Sequence, residues 1–543
     1  MKTSRSLLVL SSLVLTIPFG TLLADGHKNW PTWRPTSGTG VAEHATPPIE
    51  WGDEKNIKWK AEVGGAGYST PIIWEDKIFL LSAVPVGEAP QAPAAQQRQR
   101  PGGNANAAGG PGGRQRGGGG QGGPGGQARG PGGQGGPPAE LLAQFDKDGD
   151  GELNDEERNA LRAEMRSRRG GGQGGPGAQA QGPGGRQQGQ GGAGGGRQRG
   201  GRGGAGGGQV LQMQQFKVIA LDRNSGEIIW EKIAREEMPH EGHHPSHGYA
   251  DASPVTDGKH LWASFGSRGI YSYDLDGNLI WEKDLGDMRT RVGFGEGASP
   301  AIAGDNLIVL WDNEDQSYIV ALNKMTGKEV WRQDRDERTS WTTPFILEQN
   351  GKLQVIVAGT NATRTYDAET GDIIWEASGL TSNVIPMPVV GHGNVYVTSG
   401  YKGNSVQAIK LSSRGDVTDT DDVVWKVRES GSYVASPVLS GERLYVTKSY
   451  DNILSCMNAL TGEYHFQDER LQALRGIYAS PLAANGFLYV AGREGTTLVL
   501  KDSDELEIIA TNKLDDKIDA SPVALGGDLF IRGHKYLYCI SEG

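Results

Sequence analysis

The 543 residues carry 54 basic and 65 acidic side chains, and a net charge of −11 argues against a nucleic-acid partner. A hydrophobic share of 36% supports a real core, whereas most of the excess among 85 glycines sits between residues 100 and 210. That unevenness excludes one uniform fold and predicts a globular protein interrupted by a low-complexity segment.

Residues 1–24 read as an export signal. Lys2 and Arg5 form a short positive region, Leu7 to Phe19 an apolar stretch, and Leu22-Leu23-Ala24 a cleavage point after Ala24. The apolar run is too short, and too soon interrupted by Pro18, to make a transmembrane segment. No cysteine follows it, so no lipid anchor is expected. The expected location is the periplasm or the exterior.

Residues 25–86 begin a β architecture. Thr70-Pro71 is the first of a series that continues as Ser253-Pro254, Ser299-Pro300, Thr343-Pro344, Met387-Pro388, Ser436-Pro437, Ser480-Pro481 and Ser521-Pro522. From Ser253 onward the spacings are 46, 44, 44, 49, 44 and 41 residues. The first gap is 183, which falls to about 50 once a long insertion is removed. Each unit then repeats short apolar strands separated by turns such as Asp257-Gly258-Lys259, and closes on a tryptophan: Trp230, Trp281, Trp331, Trp375 and Trp425, with Phe466 as a substitute. Four short strands per repeat of about 45 residues predict an all-β, eight-bladed β-propeller of four-stranded blades. The recurring tryptophans are expected to fill the gaps between blades. The last unit supplies three strands, and Asn56-Ile57-Lys58-Trp59 matches the missing fourth, so the two chain ends are expected to close the ring. A monomer is expected.

The insertion spans 87–208, between a strand ending near Ala83-Val84 and one starting near Gln215-Phe216. Its Gly, Gln, Pro, Ala and Arg cannot bury enough apolar surface to fold, and its Arg-Gly groups lack the interleaved aromatics of an RNA-binding tract. One ordered island is expected at 138–168, a helix-loop-helix EF-hand. Asp146, Asp148 and Asp150 occupy loop positions 1, 3 and 5, Gly151 permits the turn at 6, and Glu152 offers its carbonyl at 7. Asn154 would act through water and Glu157 would bind through both oxygens. This set predicts calcium, held weakly because no second EF-hand pairs with it, at a level suited to the extracellular range.

Residues 209–543 supply the remaining blades. Between blades one and two, His240, His243, His244 and His247 fall within eight residues, a density that makes the loop a candidate for zinc, copper or nickel. The alternative is a polar loop bonded to its neighbours. Connections between blades share one face with the loops joining second and third strands, so this loop and the insertion are expected on one rim. Arg289, Arg291, Glu296, Arg338, Trp341, Asn383, Tyr433, Arg475 and Tyr478 are expected there too, around a pocket for an anionic ligand or around channel water. Gly293-Phe294-Gly295-Glu296-Gly297 is no phosphate loop, because no helix should follow it. Cys456 and Cys539 occupy equivalent slots two blades apart, too far for a disulfide.

Residues 30–84 and 209–543 resemble the propeller family built from pyrroloquinoline-quinone (PQQ)-type repeats. The motifs are Ala220-Leu221-Asp222 through Ser225-Gly226 to Trp230, Ala321-Leu322 through Thr326-Gly327 to Trp331, and Asp367 through Thr370-Gly371 to Trp375. The resemblance implies the fold and two kinds of function: quinoprotein dehydrogenases, and a lipoprotein scaffold that assists outer-membrane barrel assembly. This chain has neither the adjacent cysteines on which the dehydrogenases stack PQQ nor the scaffold's lipid-anchoring cysteine. The expected function is a non-catalytic, calcium-binding module with a protein or cell-envelope partner. A PQQ-dependent oxidoreductase and a histidine-loop metal protein are the alternatives.

Overall fold

The structure is a computed structural model that describes residues 28–34, 37–65, 68–87 and 211–542. The leader (1–24) and the EF-hand island (138–168) lie outside the described residues. Among the described residues, no helix is long and apolar enough to cross a membrane.

The described strands form eight antiparallel sheets. Blade one runs outward from Ile72–Trp74 through Lys77–Pro85 and Gln214–Asp222 to Ile228–Glu237. Blades two to seven repeat that order. Their second and third strands are near-continuous buried runs, while the outermost strands alternate, as in Leu279–Lys283, because only one side of each meets a neighbour. Blade four gains a short parallel fifth strand, Gly415–Asp416, lent by blade five.

Closure is as expected. Ile57–Glu62 pairs with the last strand, Tyr536–Ser541, placing Trp59 opposite Cys539. The buried apolar residues fall into clusters that mostly join two neighbouring blades; one joins blades seven, eight and one and so spans the seam. Cys456 and Cys539 are free and buried in separate clusters, and burial pushes both thiols up to about 12.

The tryptophans fill the inter-blade gaps, and the reason for the following Thr/Ser-Gly turn becomes clear. Each indole lies flat on the glycine of the next blade's outer turn: Trp59 on Gly226, Trp230 on Gly277, Trp281 on Gly327, Trp331 on Gly371 and Trp425 on Gly462. A Cβ at Gly327 would stand 2.8 Å from Trp281, and its φ of +67° is itself one that favours glycine. The Nε1–H groups then donate to a carbonyl in that same turn, as Trp331 does to Ala368 at 3.1 Å. Trp375 departs from this pattern. Blade five has no such turn, and the strand Gly415–Asp416 runs beside Trp375 instead.

The small residue before each proline has a specific task. Its hydroxyl accepts the backbone N–H of its counterpart in the preceding blade: Thr70 to Ser253 (2.9 Å), Ser253 to Ser299 (2.9 Å) and Ser299 to Thr343 (3.3 Å). The series resumes from Met387 to Ser436 (2.9 Å), Ser436 to Ser480 (2.9 Å) and Ser480 to Ser521 (3.0 Å), and Ser521 returns to Thr70 (3.1 Å). Methionine at 387 offers no hydroxyl, and there Thr342 instead donates to the Pro386 carbonyl at 3.1 Å. A hydrogen-bonded ring thus lines the axis.

One element carried no sequence signal. Residues 28–34 and 37–46 cross the face that bears the turns between first and second strands. Trp30 pairs with Ile73 of blade one, and the Pro31 carbonyl accepts Thr256 N of blade two (3.0 Å). Thr39 O accepts Leu439 N of blade six (2.8 Å), Ala42 N donates to Ala483 O of blade seven (2.8 Å), and Thr46 N donates to Gly526 O of blade eight (2.7 Å). Trp33 lines cavities on both sides of the hydroxyl ring and so forms a floor in the channel.

Candidate functional site: the rim pocket

The opposite face carries the inter-blade connections, and the blade-one insertion leaves from it after Pro85 and re-enters before Gln214. At its centre a pocket of about 220 Å³ opens above a second of about 130 Å³ that reaches down to the ring of hydroxyls.

One side of the mouth is aromatic. Phe294 and Trp341 lie with ring centroids 6.5 Å apart. Tyr401 stacks on Tyr433 at 5.2 Å, Tyr433 meets Tyr450 at 5.7 Å, and Tyr450 meets Tyr478 edge-on at 5.9 Å. These rings come from connections and loops of blades two to seven, so only the closed ring assembles them. Trp341 is pinned by its Nε1–H to Gly295 O at 2.7 Å. Tyr450 is 60% exposed, a large side chain offered to solvent where a packed one would be expected.

The other side is polar and tightly tied. Arg493 holds Asp519 through both guanidinium branches (2.5 and 3.0 Å) and lies 3.9 Å over the Tyr478 ring. His534 shares Asp519 at 2.9 Å and meets the Tyr68 ring edge-on. Burial alone would raise the Asp519 carboxyl, but the bonds from His534 and Arg493 prevail and hold it below the ordinary value. Asp251 has no such cation. It accepts Gly248 N on both oxygens (3.0 and 3.1 Å), and burial pushes its carboxyl up to about 7. His247 Nδ1 stands 3.6 Å from Asp251, and burial, reinforced by His244 and His243, brings its imidazole down to about 4. Its ring is therefore neutral at physiological pH.

The four loop histidines are spread rather than gathered. His240 Nε2 bonds the Met288 carbonyl (2.6 Å), and His243 packs edge-on against Tyr249 (4.5 Å). His244 bonds Ser246 (2.7 Å) and sits edge-on to Phe294, while His247 turns toward Asp251. Among the described residues, no three His, Cys, Asp or Glu side chains converge as a metal site.

Of the other rim residues read from sequence, Trp341, Tyr433 and Tyr478 line the pocket. Glu296 instead turns into a crevice between blades two and three, where Ser267 donates to it through N (2.8 Å) and Oγ (2.5 Å) and burial raises its carboxyl. Arg289 pairs with Asp315 in solvent, Arg338 and Arg475 are exposed, Arg291 is half-buried, and Asn383 is buried. The segment after Gly297 continues into the strand Ala301–Ala303, as expected of a loop that is no phosphate cradle. Sequence reasoning missed Tyr401, Tyr450, Asp251, Asp519, Arg493 and His534. The repeat could have found some of them, since Tyr401, Tyr450 and Arg493 begin the loops between second and third strands in three successive blades.

Comparison with known families matches residues 178–314, 266–416 and 411–542 to the PQQ-repeat family described as outer membrane protein assembly factor BamB. The matched stretches run unbroken over about two thirds of the chain. The chain belongs to this family. Among solved structures it is similar to BamB from Moraxella catarrhalis, at 14% identity over 59% of this chain and 91% of that one, with a TM-score of 0.43. The computationally designed Ika8 protein is similar at 10% identity over 61% and 93%, with a TM-score of 0.42. Comparison with curated proteins gives no match.

Proposed function

We propose that this BamB-family propeller is an exported, non-catalytic module that captures a segment of a partner protein in the rim pocket. The observation that carries the reading is the aromatic arc from Phe294 to Tyr478, with Tyr450 exposed at its edge. Fixed tyrosine and tryptophan rings around a pocket provide contact area at little entropic cost and are the side chains that dominate protein interfaces. The family's description as an assembly factor supports the same direction.

Two features weigh against catalysis. Ser246 bonds His244, whereas Asp251 faces His247, so the parts of a hydrolytic triad fall on different imidazoles. PQQ is a planar polycarboxylate and needs free cations, but Arg493, whose guanidinium lies over the Tyr478 ring, is already neutralised by Asp519. The pocket is a poor fit for it. Calcium belongs to the proposal through the spacing of Asp146, Asp148, Asp150, Glu152 and Glu157.

The test is site-specific photocrosslinking in cells, with the reactive side chain placed at position 450 on the rim or 485 on the opposite face. The proposal expects discrete protein adducts from 450 and none from 485. Equal adducts from both positions, or none from 450, would sink it.

A further inference from the structure

The upper rim pocket is walled by flat rings and holds few free charges. Tyr401, Tyr433, Tyr450 and Tyr478 follow one another at centroid distances of 5.2, 5.7 and 5.9 Å, and Trp341 lines the same pocket. Among the described residues, no lysine or arginine lines this pocket or the one beneath it. Asp519 is held by Arg493 (2.5 and 3.0 Å) and His534 (2.9 Å), and Asp251 lines the lower pocket but not the upper. Burial lowers the imidazoles of His244 and His247, which leaves the wall beside the rings uncharged at neutral pH.

Cations already lie over the two ends of the tyrosine arc. Lys402 Nζ stands 5.6 Å from the centre of the Tyr401 ring, and the Arg493 guanidinium stands 3.9 Å from that of Tyr478. A partner's lysine or arginine would meet their repulsion, while an aspartate or glutamate would leave water for a lining that offers it no cation. The wall therefore favours an uncharged segment. Among uncharged segments, a proline-rich one suits fixed aromatic rings best, because its polyproline II helix is formed before binding and loses little entropy. Its carbonyls have no internal partner, and tyrosine hydroxyls are donors of the matching kind. One turn of that helix advances about 9 Å, between one ring-to-ring step of the arc and two, so successive prolines on its contacting edge fall on different rings.

We infer that the segment captured in the rim pocket is an uncharged, proline-rich stretch in the polyproline II conformation, its pyrrolidine rings packed on the tyrosines of the arc. The inference rests on the rim-capture reading and names the chemistry of what is captured.

The experiment is isothermal titration of the full-length protein with capped octapeptides: octaproline, alternating Gly-Ser and alternating Gly-Lys. Octaproline should bind about tenfold or more tightly than either of the others. Tyr450→Ala, at a position 60% exposed and so outside the packed core, should weaken octaproline by about tenfold, and Tyr450→Phe, which keeps the ring, should lose far less. Octaproline binding no more tightly than the Gly-Ser peptide would overturn the inference. So would tightest binding by the Gly-Lys peptide, which assigns the arc to a cation, or full octaproline affinity in both folded Tyr450→Ala and Tyr401→Ala. Discrete adducts from position 450 alongside any of these results would strike this inference and leave capture standing, whereas loss of those adducts would strike both.

Discussion

Ser436→Ala removes one oxygen from the hydroxyl ring and leaves the buried Met387 N–H without the acceptor it finds at 2.9 Å. The alanine keeps its own N–H bond to Ser480, so the perturbation is confined to one link. An unsatisfied buried amide costs about 1–3 kcal/mol. The assay is equilibrium denaturation against wild type, with exposed Ser412→Ala as control. Unfolding entropy near 2.1 cal/mol/K per residue means that 1 kcal/mol moves the Tm of a propeller this size by only about 1 °C, so the denaturant midpoint is the better readout. The ring argument expects Ser436→Ala to lose about 1–3 kcal/mol and Ser412→Ala to lose nothing measurable. A loss under about 0.5 kcal/mol at Ser436 would refute the claim that these hydroxyls tie neighbouring blades together.

Gly327→Ala should destabilise by about 1–3 kcal/mol, since its Cβ meets the Trp281 ring at a positive φ; denaturation reads the loss, and a neutral result would contradict the flat packing. The Asp251 carboxyl, raised by burial from an ordinary 3.8 to about 7, keeps its proton in the folded state where the unfolded chain has released it. Stability contributed there falls as pH rises through that window, so Asp251→Asn should gain on wild type more at pH 8 than at pH 5 in melting curves. Wild type is expected to titrate with a single calcium site and Asp146→Ala with Glu157→Gln to lose it, and equal binding by both would end that assignment. Removing calcium should leave the Tm of a version lacking residues 87–208 unchanged.

The blade repeat was readable because it imposes the same chemistry eight times. Trp331 needs Gly371, and Ser436 needs Ser480, so the sequence repeats the pair wherever the geometry recurs. The closing strand was readable for the same reason, as a fourth strand lacking a blade. The crossing residues 28–34 and 37–46 were not, because they meet five blades through one or two main-chain bonds each and have no period to reveal them. Nor could sequence order place Tyr401, Tyr450 and Tyr478 in one arc, since their proximity comes from the rotation between successive blades. The histidine loop shows how closeness in sequence differs from closeness of side chains. Four imidazoles close in sequence take separate partners, because the loop follows the rim and each ring meets a different neighbour. Asp251 and Asp519 differ in charge state for a reason no motif encodes: Arg493 and His534 reach only the second.

The most direct test of the rim as a capture site is the affinity of the partner crosslinked from position 450. It should be measured against wild type, Tyr450→Ala and Tyr401→Ala. Truncating an exposed interface aromatic costs about 2 kcal/mol or more at a hot spot, so at least a tenfold loss is expected, with the melting curve unchanged for Tyr450→Ala. Full affinity in both variants would show that the aromatic arc does not hold the partner.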